Sequence, residues 1–184
     1  ELPDERIERY IAAFGLSKYD ASVLTIERSV SDYFDEVIKS NKALQGHAKI
    51  VSNWISTELF SLLKKDNLDI STSPVSSKNL GELIILLTTN VISGKIAKEV
   101  LTEMFSSKKS AKYIVEKKGL KQMTDSSEIE TIIEKILSEN QKMVNEYKSG
   151  KTKLLSYFVG QVMKETKGKA NPKLLNEILF KKIN

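Results

Sequence analysis

Apolar residues recur along this chain at steps of three and four, with no sustained alternation in twos, so the pattern predicts helices throughout. Pro3 and Asp4 open a first helix that runs to Phe14 and stops at Gly15, and a short second helix follows over 19–24. Ser29 or Ser31 starts a third that reaches about residue 39, with Tyr33, Phe34, Val37 and Ile38 inward. The longest helix is expected from 46 to about 63. Its stripe of Ile50, Val51, Trp54, Ile55, Leu59, Leu62 and Leu63 is broad enough to be buried against several neighbours. The polar stretch 64–77, which contains Pro74, predicts a loop or a partner-facing connection.

Further helices are predicted over 78–89, 93–106 and 110–117, the middle one burying Ala97, Val100, Leu101, Met104 and Phe105. Gly119 ends the last of these, and 124–127 is short and polar, a linker ahead of a fresh N-cap signal. Beyond it, Ile129, Ile132, Ile133, Ile136 and Leu137 stripe a helix over 128–139, and a short helix surrounds 143–147. Leu154, Leu155, Phe158, Val159, Val162 and Met163 form the next stripe, which Gly168 stops. Asn171 and Pro172 then read as N-cap and first position of a final helix carrying Leu174, Leu175, Ile178 and Leu179. The fold class is therefore all-α: a helical bundle over 1–122 followed by a small tail domain of three to four helices over 123–184. The tail is near the size at which one core becomes marginal, so dependence on its neighbour or movement against it is expected.

Charge changes this picture more than composition does. With 184 residues and 40% hydrophobic content the chain can bury an ordinary core, and its longest dense apolar run, 83–87, is far too short to span a bilayer. There is no cysteine, which removes disulfides and thiolate metal sites and fits a cytoplasmic protein. The first residue is Glu1 rather than Met, which predicts a piece of a longer chain. The formal net charge is +5, yet residues 141–184 hold ten lysines against three acids, a net +7, which leaves −2 for residues 1–140. A second cluster comprises Lys108, Lys109, Lys112, Lys117, Lys118 and Lys121 with only Glu116 among them. Segregated positive charge attracts phosphate polymers, although lysine-rich faces also simply solvate helices.

The densest point of that charge is 159–172, where an apolar helix runs into a basic turn that starts another helix. Lys167 and Lys169 are expected beside the free backbone N–H groups of the last helix, an arrangement that suits a phosphate as well as it suits a solubilised connector. Lys164, Lys167, Lys169, Asn171 and Lys173 are the candidate nucleic-acid contacts, with Lys148, Lys151 and Lys153 assisting. Local aromatics are few, namely Tyr147, Tyr157 and Phe180, with Phe158 on the apolar stripe, which favours a folded RNA over a single strand. Catalytic chemistry is scarce. His47 is the only histidine, Ser93-Gly94-Lys95 lacks the preceding glycine and strand of a phosphate loop and reads as a helix start, and no metal ligand set is visible. Acidic pairs such as Asp35 with Glu36 and Glu128 with Glu130 do not share a helix face and are expected only to solvate it.

Several separated motifs occur in one order: 1–6 (Glu-Leu-Pro-Asp-Glu-Arg), Tyr19-Asp20 with Val23-Leu24-Thr25, Asn53-Trp54 with Glu58-Leu59, 92–100 (Ile-Ser-Gly-Lys-Ile-Ala-Lys-Glu-Val), 119–122, 159–163 and 166–172. On these the chain resembles, over essentially its whole length, the C-terminal half of the GatB subunit of the glutamyl/aspartyl-tRNA amidotransferase, including its GatB/YqeY-type domain at about 34–182. The archaeal relative GatE shares this kind of region, but the opening segment and 19–25 look closer to GatB, and free-standing YqeY proteins match only the later part. The resemblance implies an enzyme that converts glutamate or aspartate mischarged on glutamine or asparagine tRNA to the amide, using ATP and ammonia from a partner amidase subunit, with a small third subunit. It implies that ATP and magnesium bind upstream of Glu1 and that this chain holds no cofactor and no catalytic centre, gripping tRNA instead. A competing reading makes the bundles a docking module for the amidase subunit or the catalytic domain, with no RNA contact.

Overall fold

The computed structural model describes all residues from Glu1 to Asn184, and its regular elements are helices. Contacts divide the chain into two compact units, Glu1–Thr89 with Ala97–Gly119, and Asn90–Ile96 with Leu120–Asn184. The sequence suggests a single boundary after residue 122; the structure breaks three residues earlier, after Gly119, and adds one inserted segment to the second unit. Asn90–Ile96 lies with the C-terminal helices because the Ser93 hydroxyl donates to the Gly168 carbonyl at 3.0 Å and the Gln122 N–H donates to the Val91 carbonyl at 2.6 Å.

The first unit is built from α1 (Pro3–Phe14), α2 (Lys18–Thr25), α3 (Arg28–Ser40), α4 (Ala48–Asn53), α5 (Phe60–Lys65), α6 (Ser77–Thr88), most of α7 (Gly94–Ser107) and α8 (Ala111–Lys118). Tyr10, Phe14 and Phe34 form its aromatic centre, with Tyr10 and Phe34 edge to face at 4.8 Å. The Tyr10 hydroxyl is satisfied by donating to the Ser31 carbonyl at 3.1 Å. Between α4 and α5 the chain stays helical but widens into a π turn at Trp54–Leu59, where the Phe60 N–H reaches back to the Ile55 carbonyl. That extra residue rotates the later half of the stripe. Val51, Trp54, Ile55, Leu59 and Leu63 are buried, while Ile50 and Leu62 are half-buried.

The stretch between α5 and α6 is a loop, one of the two readings the sequence left open. It holds a short 3₁₀ turn, Ile70–Thr72, and is anchored to its own unit: Ile70 and Val75 are buried, and the Tyr33 hydroxyl donates to the Val75 carbonyl at 2.8 Å. Two apolar side chains in a polar stretch are enough to anchor it, a signal too sparse to register as periodicity.

The second unit contains α9 (Ser126–Glu139), α10 (Gln141–Lys148), α11 (Leu154–Glu165) and α12 (Pro172–Ile183), together with Asn90–Ile96. Ile129, Ile133, Phe158, Val162, Ala170, Leu175, Leu179 and Ile183 are the most buried part of its core. Full burial of a side chain such as Phe158 or Leu175 contributes about 1.5–3 kcal/mol relative to exposure. The 124–127 stretch is less a linker than a helix start, since the Asp125 carboxylate accepts the Ser127 N–H at 2.8 Å and so caps α9.

Candidate nucleic-acid interface

The basic turn between α11 and α12 is fixed by its own backbone before any lysine is considered. At the end of α11 the Gly168 N–H reaches back to the Met163 carbonyl at 2.7 Å, and Lys167 and Gly168 both adopt left-handed conformations, φ +52° and +78°. The buried Thr166 hydroxyl donates to the Val162 carbonyl at 2.9 Å and accepts the Ala170 N–H at 3.3 Å. Met123 runs alongside as a single parallel bridge, its N–H donating to the Lys169 carbonyl at 2.6 Å and its carbonyl accepting the Asn171 N–H at 3.0 Å. Ser93 completes the seat. Its buried hydroxyl donates to the Gly168 carbonyl at 3.0 Å and accepts the Ile96 N–H at 3.3 Å, so one side chain both caps α7 and holds the turn.

Gly168 is buried because the stem of Lys95 lies over it. A Cβ at that position would meet Lys95 Cδ at 3.3 Å, in a backbone conformation that L side chains rarely adopt. The Lys-Gly-Lys turn is thus only partly open to solvent: Lys167 is exposed, Gly168 is buried and Lys169 is half-buried. It also brings in a cation that the sequence reading missed. Lys95 precedes the turn by more than seventy residues, and only the Ser93-Gly94-Lys95 string, read correctly as a helix start, marks its place.

Asn171 and the α12 terminus need a correction. The N–H groups expected to be free for an anion are occupied: Asn171 Oδ1 accepts those of Lys173 and Leu174 at 3.0 and 3.1 Å, and its carbonyl accepts that of Leu175 at 2.9 Å. The Asn171 side chain is spent as a cap, so the attraction for phosphate at this turn is left to ammonium groups.

Those ammonium groups are largely unspent. Lys148, Lys153, Lys164, Lys167 and Lys173 are exposed, and neither they nor Lys169 makes an ion pair within the unit. Lys151 differs, being paired with Glu146 at 2.9 Å, which holds that carboxyl below its usual range. Among the local aromatics Tyr147 is buried in the core, Tyr157 is half-buried against Phe158, and only Phe180 is well exposed, so no stacking platform adjoins the turn.

The cations of the first unit are used differently. Arg9 holds Asp35 with two bonds at 3.1 and 2.8 Å and Glu1 with two more at 2.7 and 2.8 Å, while its guanidinium lies 4.8 Å from the Tyr10 ring centroid. Arg6 binds Asp32 at 2.8 Å, the Ser31 hydroxyl at 2.6 Å and Glu1 at 3.1 Å. The acids expected only to solvate helices are thus corrected in two cases: Asp35 is the anchor of Arg9, and Glu130 pairs with Lys182, which also binds Glu134 at 2.6 Å. Helix periodicity cannot show such pairs, because their partners sit on other helices.

No group of three His, Cys, Asp or Glu side chains comes together in a way that could hold a metal ion, and Ser93 and Gly94 are engaged in capping α7. No helix is long and apolar enough to cross a membrane.

Residues 32–183, from the second turn of α3 to the end of α12, match the family described as the GatB domain. Similar chains include the GatB subunit of the aspartyl/glutamyl-tRNA(Asn/Gln) amidotransferase from Thioalkalivibrio sulfidiphilus, 49% identical over 183 residues. The corresponding proteins of Rickettsia canadensis and Wolbachia pipientis are 45% and 44% identical. Each match takes in all of this chain but only 37–38% of the relative, so the chain spans a little over a third of their length and corresponds to their C-terminal part. A match that runs through both units and takes in Ser93, Gly168 and Asn171, the residues that build the turn, places the chain in the GatB domain family.

Proposed function

We propose that this chain is the tRNA-binding portion of a glutamine-dependent amidotransferase that converts Glu-tRNA(Gln), Asp-tRNA(Asn) or both to the amide. The name its relatives carry, aspartyl/glutamyl-tRNA(Asn/Gln) amidotransferase, supplies the substrate class. The observation that carries the binding role is the rigid turn ringed by Lys164, Lys167, Lys169 and Lys173, all without a carboxylate partner in their unit. Lys95, whose stem lies over Gly168, adds to the charge at the turn; Lys148 and Lys153 are exposed and unpaired, and Lys151 adds less because Glu146 already neutralises it. Ammonium groups held by a fixed turn attract phosphates without reading sequence, and the geometry of the turn restricts which RNA shape fits. The chain has no catalytic role of its own in this reading. Activation by ATP and magnesium belongs to the remainder of the GatB polypeptide, and ammonia comes from the partner amidase assisted by a small third subunit, all in the cytoplasm.

Titration of cognate tRNA onto the chain at several salt concentrations tests this. Replacing Lys164, Lys167, Lys169 and Lys173 together by alanine should weaken binding roughly hundredfold and lower the salt slope by about three units. Changing only Lys167 and Lys169 should lower the slope by roughly one to two. Binding to the partner amidase with no affinity for tRNA would replace this reading with a docking role.

A further inference from the structure

The second lysine cluster is left unexplained by the turn, and it contains what the turn lacks, an exposed aromatic ring. Tyr113 stands near the middle of α8, 47% exposed. Lys109, one turn before it, and Lys117, one turn after, bring their ammonium nitrogens to 5.7 and 5.6 Å from its ring centroid. Glu116 lies beside Lys117 on the same helix, yet neither lysine pairs with it in the unit. Lys108 and Lys112 are exposed close by, and Lys118 alone in this stretch is consumed, by Glu103. The helix itself is firmly built: the Ser110 hydroxyl accepts the Tyr113 N–H at 3.2 Å, Gly119 closes the far end, and Ala111, Ile114 and Val115 are buried beneath.

We propose that Tyr113 with Lys109 and Lys117 is a second RNA site, at which an unpaired tRNA base stacks on the ring while the two ammonium groups turn to the flanking phosphates. The inference rests on the tRNA-binding reading above and extends it to the first unit. A cation held over an exposed tyrosine face is weakly bound, whereas the same ammonium gains a full opposite charge on a phosphate, so RNA exchanges the partner of each lysine and uncovers the ring. Base stacking on an aromatic face is stronger than the contact it displaces and is indifferent to sequence. A duplex offers no free base face, so the site selects a loop or an end of the tRNA. The two sites then divide the work. The rigid lysine turn meets the backbone of folded RNA, and Tyr113 meets an unstacked nucleotide.

Cognate tRNA binding to the intact chain, followed by anisotropy across a salt series, tests the site. Tyr113→Leu should weaken binding about tenfold with the salt slope unchanged, and Tyr113→Phe should bind as the parent does. The double variant Lys109→Ala with Lys117→Ala should lower the slope by about one and a half units. In Tyr113→Trp the added indole should be quenched by tRNA, above the signal of the buried Trp54 in the parent. Parent-like binding by Tyr113→Leu, while the four-lysine turn variant loses affinity, would overturn this inference and leave the tRNA reading standing. Loss of tRNA affinity in the parent itself would remove both. A Tyr113→Leu defect toward a polyglutamate peptide but not toward tRNA would overturn the site in favour of an acidic protein partner.

Discussion

The two units each carry a cluster of cations, and the clusters have opposite fates. In the first, Arg6 and Arg9 are committed to Glu1, Asp32 and Asp35 through paired, short hydrogen bonds, and they tie α1 to α3. In the second, the lysines around Gly168 have no carboxylate in their unit to hold them. The chemistry of the side chains suits these uses. A planar guanidinium matches carboxylates two atoms at a time and loses little freedom in doing so, while an ammonium on a flexible stem stays hydrated and free to meet a phosphate. Net charge alone would have located the interface only coarsely. What identifies available charge is the absence of an internal partner, together with a backbone rigid enough to hold the charges where a ligand can use them.

Three perturbations probe that contrast. The largest effect on stability is expected from Arg9→Ala, which strips the partner from Asp35, a carboxylate with only 13% of its side chain exposed, and removes the cation from the Tyr10 ring. The first unit should lose about 2 kcal/mol by chemical denaturation while tRNA affinity is kept. Loss of tRNA binding at matched foldedness would break the division between structural and available cations. Next comes Gly168→Ala, expected to cost about 1 kcal/mol because φ is +78° and the new Cβ crowds the stem of Lys95. Here affinity for tRNA should fall without a change of salt slope, since every lysine remains but its support shifts; an altered slope would mean that the turn acts only as a carrier of charge. The smallest effect should come from acid. Hydrogen bonds from Arg9, and then from Arg6, hold the Glu1 carboxyl down to about 2 from an ordinary 4.5. A lowered folded-state value means that the clasp contributes fully above about pH 4.5 and is lost as pH falls through about 2. The melting-temperature difference between the parent and Glu1→Gln should therefore be present near neutrality and vanish by about pH 2, and a difference that persisted in acid would show that the carboxylate charge is not what matters.

The sequence shows a good deal of this structure, and physical reasons separate what it shows from what it hides. Helices α9, α11 and α12 follow from the isoleucine stripe, the 154–163 stripe and the Asn171-Pro172 start, because periodic burial and end-capping are local and repeat within a few residues. The π turn at Trp54–Leu59 escapes, since one added residue leaves the stripe looking continuous. Pairings escape as well. Arg9 meets Asp35 across 26 positions, and Ser93 meets Gly168 across 75, so neither leaves a local trace. The lysines of the turn and the capping place of Asn171 are legible by type and spacing, but the presence of Lys95 is not, because it depends on which groups the tertiary fold brings within reach.

The Ser93 bond to Gly168 also has a consequence in time. A ribosome releases Ile92, Ser93 and Ile96 early and must add a further 75 residues before the Gly168 carbonyl exists, roughly four to fifteen seconds at about 5–20 residues per second. For that interval the buried Ser93 hydroxyl lacks its native acceptor, and the segment is open to wrong pairings there. Expression trials that slow translation between 97 and 168 would lengthen that vulnerable window, whereas substitutions after Asn171 would leave it untouched.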